Sequence, residues 1–190
     1  MDLDGVILAC ATRTEARAAR RLSPRTVVVG IRAPRPVPDG PVVSFGLAGG
    51  LHDRLECGDV LDATRVIAAD GRVLWEGAPL GIVGARPGTI LAADRIVDDP
   101  DERRSLHART GADAVDMESG TLALTGRLAG CLRAVSDTPA RTLGPVATIV
   151  GPNGRVRAAG LARALARPRE TMRALRDVRR ALRRLEEIAA

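Results

Sequence analysis

Aromatic side chains are almost missing from this chain: Phe45 and Trp75 stand alone, and there is no Tyr. Nothing is interleaved with its basic residues on which unpaired bases would stack, and its core has to be built from Val, Leu, Ile and Ala. Lysine is absent, so all 29 residues of the Lys and Arg class are arginine; with the abundant Ala, Gly and Pro this marks a compositional bias of the coding genome. Cysteine is scarce. Cys10, Cys57 and Cys131 are odd in number, far apart and in no metal-ligand spacing, which speaks for reduced thiols in a cytoplasm rather than a disulfide framework. No apolar run approaches the ~20 residues of a bilayer span, and there is no internal repeat. The opening Met1-Asp2-Leu3-Asp4 is acidic and lacks the basic region of a secretory signal, so the expected location is cytoplasmic.

What is present fits one domain over residues 1–190. Hydrophobic content of 45% and charged content of 27% are ordinary for a globular chain of this length. The net charge of +6 raises nucleic acid or an anionic surface as a partner. The arginines gather at the C-terminal end, however, where they read as solvated helix faces, so no nucleic-acid partner is expected.

Gly5 to Ala11 is a continuous apolar run, the mark of a strand buried on both faces. Thr12 or Thr14 can cap the helix that follows near Glu15, and Pro24 ends it. A second buried strand is expected over Thr26 to Ile31, then a Pro-rich crossing loop from Ala33 to Pro41. Pro41 to Phe45 reads as a strand opening into a glycine-rich loop, Gly46-Leu47-Ala48-Gly49-Gly50-Leu51. Such a loop lets a ligand approach the backbone and can present amides to an anion, although it lacks the Lys-Ser/Thr of a P-loop. Asp59 to Ile67 and Arg72 to Trp75 are strands joined by the hairpin turn Asp70-Gly71. Short strands over Gly81 to Ala85 and Thr89 to Ala93 precede a helix over Pro100 to Thr110. Hairpins among these strands require a mixed sheet.

A short apolar piece, Ala114-Val115-Asp116, then runs into Met117-Glu118-Ser119 and a helical pattern through Leu128. Cys131 to Val135 forms one more strand, ending at Ser136-Asp137-Thr138-Pro139. From Arg155 the pattern is helical and divided by Pro168; a narrow Leu stripe is expected to pack on the domain or on another subunit. Three carboxylates fall at strand ends. Glu15 is either a ligand-facing acid, at the edge where open α/β sheets bind ligands, or a first-turn acid opposing the helix dipole. Glu118 alone reads first as a dipole-favoured acid, and Ser136-Asp137 first as a cap or turn. A carboxylate just after a buried strand also suits a general acid.

The order of Glu15, the Gly46–Leu51 stretch, Val115-Asp116-Met117-Glu118-Ser119 and Ser136-Asp137 resembles the nucleoside phosphorylase and nucleosidase superfamily, which includes purine nucleoside phosphorylase, uridine phosphorylase and methylthioadenosine/S-adenosylhomocysteine nucleosidase. Ser44 to Leu51 and Arg109 to Ser119, with the Arg-rich tail, are most similar to hopanoid-associated phosphorylases. The resemblance spans nearly the whole chain. It implies a three-layer α/β/α phosphorylase-like fold with a mixed, partly barrel-like central sheet. The implied activity is cleavage of the N-glycosidic bond of a purine nucleoside, most of all a 5′-substituted adenosine of the adenosylhopane or methylthioadenosine/S-adenosylhomocysteine kind, releasing adenine.

By the same resemblance Asp137, held by Ser136, protonates the departing base, and Glu118 binds the ribose hydroxyls with Met117 on the sugar face. Glu15 orients the attacking water. Gly46, Leu47, Ala48 and Gly49 lie by the anomeric carbon, and Ile96 and Val97 meet the purine. No cofactor or metal is implied; inorganic phosphate is an alternative to water as co-substrate. A homo-oligomer, as dimer, trimer or hexamer, is implied as well. Two departures stand out: Ser44 replaces the Arg that hexameric phosphorylases carry two residues before the glycine stretch, and Leu47 replaces a hydroxyl within it. Arg13 and Arg32 are the substitutes within reach for holding phosphate. Ile96 stands where a base-stacking Phe is common. The rival reading is a non-catalytic module that binds adenine or its nucleosides and interacts through the Arg-rich tail.

Overall fold

A computed structural model describes residues 5–149 and 157–188. In chain order the elements are β1 (Ile7–Cys10), α1 (Arg13–Ala19), β2 (Thr26–Val28), β3 (Val42–Gly50), β4 (Val60–Ile67), β5 (Val73–Glu76), β6 (Arg86–Ala92), α2 (Pro100–Thr110), β7 (Ala114–Asp116), α3 (Ser119–Ala123), β8 (Leu128–Asp137), α4 (Ala158–Ala166) and α5 (Pro168–Glu187), with a 3-10 turn at Gly144–Thr148. Five strands close a ring. β3 runs parallel to β8, β8 antiparallel to β4, β4 parallel to β6, β6 parallel to β7, and β7 returns antiparallel to β3 at Gly49 and Gly50. β1 and β2 extend the sheet from the outer edge of β3, and β5 hangs on β4 as a hairpin arm. The mixed sheet expected from the hairpins is therefore present, with the partly barrel-like form that the resemblance implied.

Alternation along the strands separates two cores. Val42, Ala48, Leu61, Ala63, Cys131 and Val135 belong to one cluster, while Val43, Phe45, Leu132 and Ala134 face the other way, under Ala16 and Ala19 of α1 and Ala181 and Leu185 of α5. On another stretch of the ring, Leu106 of α2 packs with Leu91 and Val115. Helices thus flank the sheet on both sides, and small Ala contacts let them approach closely where no aromatic fills the gap.

Local chemistry sets the helix boundaries. Thr12 caps α1 in a reciprocal capping box with Glu15. Asp99 caps α2, Pro100 occupies its first turn, and Gly111 closes it with φ +68°. α5 buries Ala174, Asp177, Ala181 and Leu185 at three- and four-residue steps against β8 and α1, so the face that packs on the domain is not the expected Leu stripe, of which only Leu185 is buried while Leu161, Leu165 and Met172 are exposed. Asp177 is held by the guanidinium of Arg141, at 2.8 and 3.0 Å. The expected helix start at Arg155 and the acidic Met1–Asp4 lie outside the described residues. Among the described residues no helix is long and apolar enough to cross a membrane. The three cysteines are buried free thiols, and burial pushes the proton affinity of each upward.

Four local expectations are corrected. The glycine stretch is strand rather than loop, because β3 keeps its register with β8 through Gly46, Leu47 and Ala48 and then pairs with β7. Gly81 to Ala85 is loop rather than strand: the Asp62 carboxylate collects the amides of Leu80, Gly81 and Ile82, at 2.8–3.3 Å, and wraps the backbone around itself. Leu128 begins β8 instead of ending a helix, since α3 stops at Ala123 and Gly126, at φ +70°, turns the chain. β2 is a half-buried edge strand of three residues, ending before Gly30.

Candidate active site

The closed ring brings the ends of β3, β7 and β8 together with the segment after β6. Between them lies a cavity of ≈ 530 Å³ whose wall includes Leu47, Ala48, Gly49, Ile96, Val97, Met117, Glu118, Ser136 and Asp137. Nine of the eleven residues singled out in the sequence therefore share one cavity. Glu15 and Gly46 stand just behind its wall: Glu15 Oε1 accepts from Leu47 N–H at 2.9 Å, and its other oxygen is taken by the Thr12 amide and hydroxyl, each at 2.8 Å. Arg32 lines the cavity, but Arg13 lies exposed on α1 outside it.

At one end, Asp137 is 2% exposed. Its Oδ1 accepts the Ser136 hydroxyl at 2.5 Å, and its Oδ2 is ion-paired to Arg103. Gly49 is small for a reason, since a Cβ there would come within 3.1 Å of Asp137 Oδ2. Burial raises the Asp137 pKa from the usual carboxylate range, and Arg103 and Ser136 oppose that rise. The carboxyl is thus biased toward holding a proton while donors stand ready for its anion.

At the other end, Glu118 is 7% exposed and accepts the Arg32 amide at 3.0 Å. Burial first, then the neighbouring Asp116, push its pKa up to about 7. Beneath it runs a polar network. Arg133, rising from the middle of β8, is ion-paired to Asp116, also donates to Ser44 Oγ, and reaches Ser119 Oγ at 3.1 Å. Gly46 is opposite Arg133 in register, and a Cβ there would overlap Glu15 Oε1 and approach Arg133 Nη1 to 2.9 Å. A guanidinium from β8 thus stands against Ser44, buried and already paired to Asp116.

Sequence reasoning missed Arg103, Asp116 and Arg133. For Arg133 a signal existed, because a charge inside the apolar run Cys131 to Val135 has to be paired. Arg103 carried none, being one arginine among many on a helix of mixed polarity.

With a closed mixed barrel and carboxylates at the ends of its strands, this is the architecture of a phosphorylase-type protein. Residues 76–167 match the family model described as the Phosphorylase superfamily. Among solved structures it is similar to the 5′-methylthioadenosine/S-adenosylhomocysteine nucleosidase of Helicobacter pylori, at 15% identity over 99% of this chain and 98% of that one, with a TM-score of 0.60. The corresponding nucleosidase of Neisseria meningitidis, in complex with methylthio-immucillin-A, matches at 18% identity over 92% and 98% with a TM-score of 0.57. Futalosine hydrolase of Helicobacter pylori matches at 15% over 93% and 97% with a TM-score of 0.55. No curated protein matches the chain.

Proposed function

We propose that this protein cleaves the N-glycosidic bond of a purine nucleoside, a 5′-substituted adenosine above all, with water as the nucleophile. The observation that carries the reading is that a proton-biased Asp137 and a second buried carboxyl, Glu118, share one cavity, with Ile96, Val97 and Met117 as its apolar walls. As the bond to the anomeric carbon breaks, its electron pair leaves with the base, and the Asp137 proton passes to the base nitrogen N7. Glu118 accepts the ribose hydroxyls, and Met117 packs on the sugar. The water oxygen bonds to the anomeric carbon by Leu47 to Gly49 and releases one proton to solvent, from which Asp137 is reprotonated, giving adenine and a free sugar. Glu15, bonded to the Leu47 amide behind the wall, fixes that stretch and acts on the water only through it, since Thr12 and Leu47 occupy both of its oxygens.

Hydrolysis suits the charges better than phosphorolysis. Glu15, Asp116 and Glu118 all act on the single guanidinium of Arg133, which is already paired to Asp116. A phosphate dianion would find that guanidinium already committed to Asp116, whereas water needs no cation to hold it. The rest of the cavity, with Leu143, Val146, Ala147 and Val178, offers apolar surface to a 5′ substituent. Similarity to the methylthioadenosine nucleosidases supports the same substrate class.

The test is adenine release from adenosine, methylthioadenosine, S-adenosylhomocysteine and a long-chain 5′-alkyl adenosine, with and without phosphate, beside Asp137→Asn. Release from 5′-substituted substrates without phosphate, reduced ~10²–10⁴-fold in the variant, is the expected result. A strict phosphate requirement would make the chain a phosphorylase. Adenine binding with no turnover of any substrate would make it a binding module.

A further inference from the structure

Arg103 is the buried cation that the reaction scheme above leaves without a task. Only 1% exposed, it lies one turn into α2, and its guanidinium is shared among three segments. Nε donates to the Val97 carbonyl at 2.9 Å, and Nη1 to the Gly50 carbonyl at 3.3 Å. Nη2 is ion-paired to Asp137 Oδ2 and lies 3.5 Å from Asp98 Oδ1. Asp98 in turn accepts the amides of Leu143 and Gly144, at 2.8 and 2.9 Å. The segment expected to meet the purine, the end of β3 and the acid at the end of β8 are thereby fixed to one another by a single side chain.

Burying a guanidinium is costly unless anions and acceptors surround it, and replacing such an ion pair by apolar groups is often neutral or stabilising. Its presence beside the acid therefore calls for a role in the chemistry. The two oxygens of Asp137 are not equivalent. Oδ2 faces a guanidinium, which can only donate, so a proton on the carboxyl has no place there. Oδ1 faces the Ser136 hydroxyl, and that hydroxyl has a second acceptor, the Ala48 carbonyl, at 3.3 Å.

Resting on the reading of Asp137 as the acid, we propose that Arg103 is a positioning residue: it confines the transferable proton to Asp137 Oδ1 and stabilises the carboxylate left when that proton moves to the base. Before transfer the Ser136 hydroxyl turns to Ala48, and Oδ1 carries the proton. As the base takes it, the O–H electron pair stays on Oδ1, Ser136 swings back to donate to that oxygen, and Arg103 holds Oδ2. The backbone bonds to Val97 and Gly50 keep the guanidinium in place throughout.

The charged and titratable neighbours of Asp137 define the background for a pH test. They are Arg103 on α2, Asp98 before α2, Cys57 after β3, and the Arg141–Asp177 pair that joins the loop after β8 to α5. Among them Arg103 is the largest influence favouring the anion.

Arg103→Gln and Arg103→Lys are compared in the full-length protein with methylthioadenosine as substrate. Protonated Asp137 is the active form, so activity falls as pH rises through its pKa. Loss of Arg103 destabilises the anion, moving that alkaline limb to higher pH while kcat on the plateau drops about 100-fold with little change in KM. Arg103→Lys returns the limb toward the wild-type position. A lower activity with the limb unmoved would overturn the proposal in favour of a merely structural arginine. A second readout needs no turnover: the melting temperature of each protein against pH, taken as its difference from the matching protein that also carries Asp137→Asn. That difference titrates at higher pH in Arg103→Gln than in wild type; identical pH dependence would overturn the proposal. If Asp137→Asn alone leaves adenine release intact, the acid reading fails first, and separately.

Discussion

Glu118→Gln separates what the site needs from what the fold would prefer. In the folded protein Glu118 holds its proton with a pKa raised from 4.5 to about 7, chiefly through burial and then through Asp116. The folded state therefore binds this proton more tightly than the unfolded chain does. That contribution to stability is complete below the unfolded value of 4.5 and is lost as pH rises through about 7. At ~1.4 kcal/mol per tenfold change in proton affinity, the ionised side chain costs the folded protein about 3 kcal/mol at pH 8 and less than about 1 kcal/mol at pH 5. Gln keeps an oxygen to accept the Arg32 amide, now 3.0 Å from Glu118 Oε1, and never ionises. In a domain of this size, Glu118→Gln should therefore melt roughly 5–10 °C above wild type at pH 8 and close to it at pH 5. The assay is thermal unfolding by circular dichroism across that range, both proteins in the same buffers. An offset that does not change with pH, or a variant less stable than wild type at pH 8, would refute the reasoning. The same variant should bind nucleoside poorly, because an amide accepts fewer ribose hydroxyl bonds than a carboxylate. Stability gained and affinity lost together would identify Glu118 as a group retained for the ligand.

Further outcomes follow from neighbouring groups. Apparent KM should rise as pH falls below about 7, where Glu118 takes up its proton, while kcat should fall at alkaline pH as Asp137 loses its own; separate KM and kcat profiles check both limbs. Gly46→Ala should lose about 1–3 kcal/mol in urea unfolding, because its Cβ would overlap Glu15 Oε1, which Leu47 and Thr12 hold in place. Arg133→Met should lose about 3–5 kcal/mol by stranding the buried Asp116, and Arg133→Met with Asp116→Asn should recover much of that.

Much of the architecture could be read from local chemistry. The helix Pro100 to Thr110 was legible to the residue because Asp99, Pro100 and Gly111 act on the backbone nearest to them. Asp70-Gly71 marked the β4–β5 hairpin for the same reason, with Gly71 at φ +84°. The glycine stretch misled because its conformation is decided by partners distant in sequence: Gly46 and Ala48 register with Arg133 and Val135, and Gly50 with Ala114. The freedom that makes Gly common in loops also lets β3 pass close to the Glu15 and Asp137 carboxylates. Gly81 to Ala85 misled in the same manner, its course being set by the carboxylate of Asp62.

The site divided along the same line. Its carboxylates announced themselves at strand ends, where turn residues and chain order expose them to inspection. Of its buried cations only Arg133 did, as a charge inside the apolar run Cys131 to Val135. All basic residues here are arginine, so residue type carries no distinction between the solvated face of α5 and the interior of β8. What separates Arg103 and Arg133 from the rest is that each is 1% exposed and each is ion-paired to an aspartate at or beneath the cavity wall, Asp137 and Asp116. Such pairs are set by three-dimensional closure of the ring, which brings β8 against β3 and α2 against the end of β8. Each pair also has a chemical consequence that neither residue has alone. Burial and then Asp116 lift the Glu118 pKa while Arg133, paired to Asp116, opposes the rise, and Arg103 gives Asp137 a partner for its anion without supplying a partner for its proton. The acid and the ribose acceptor are thus tuned by cations that differ in whom they face, which lets two carboxylates in one cavity serve opposite ends of the same reaction.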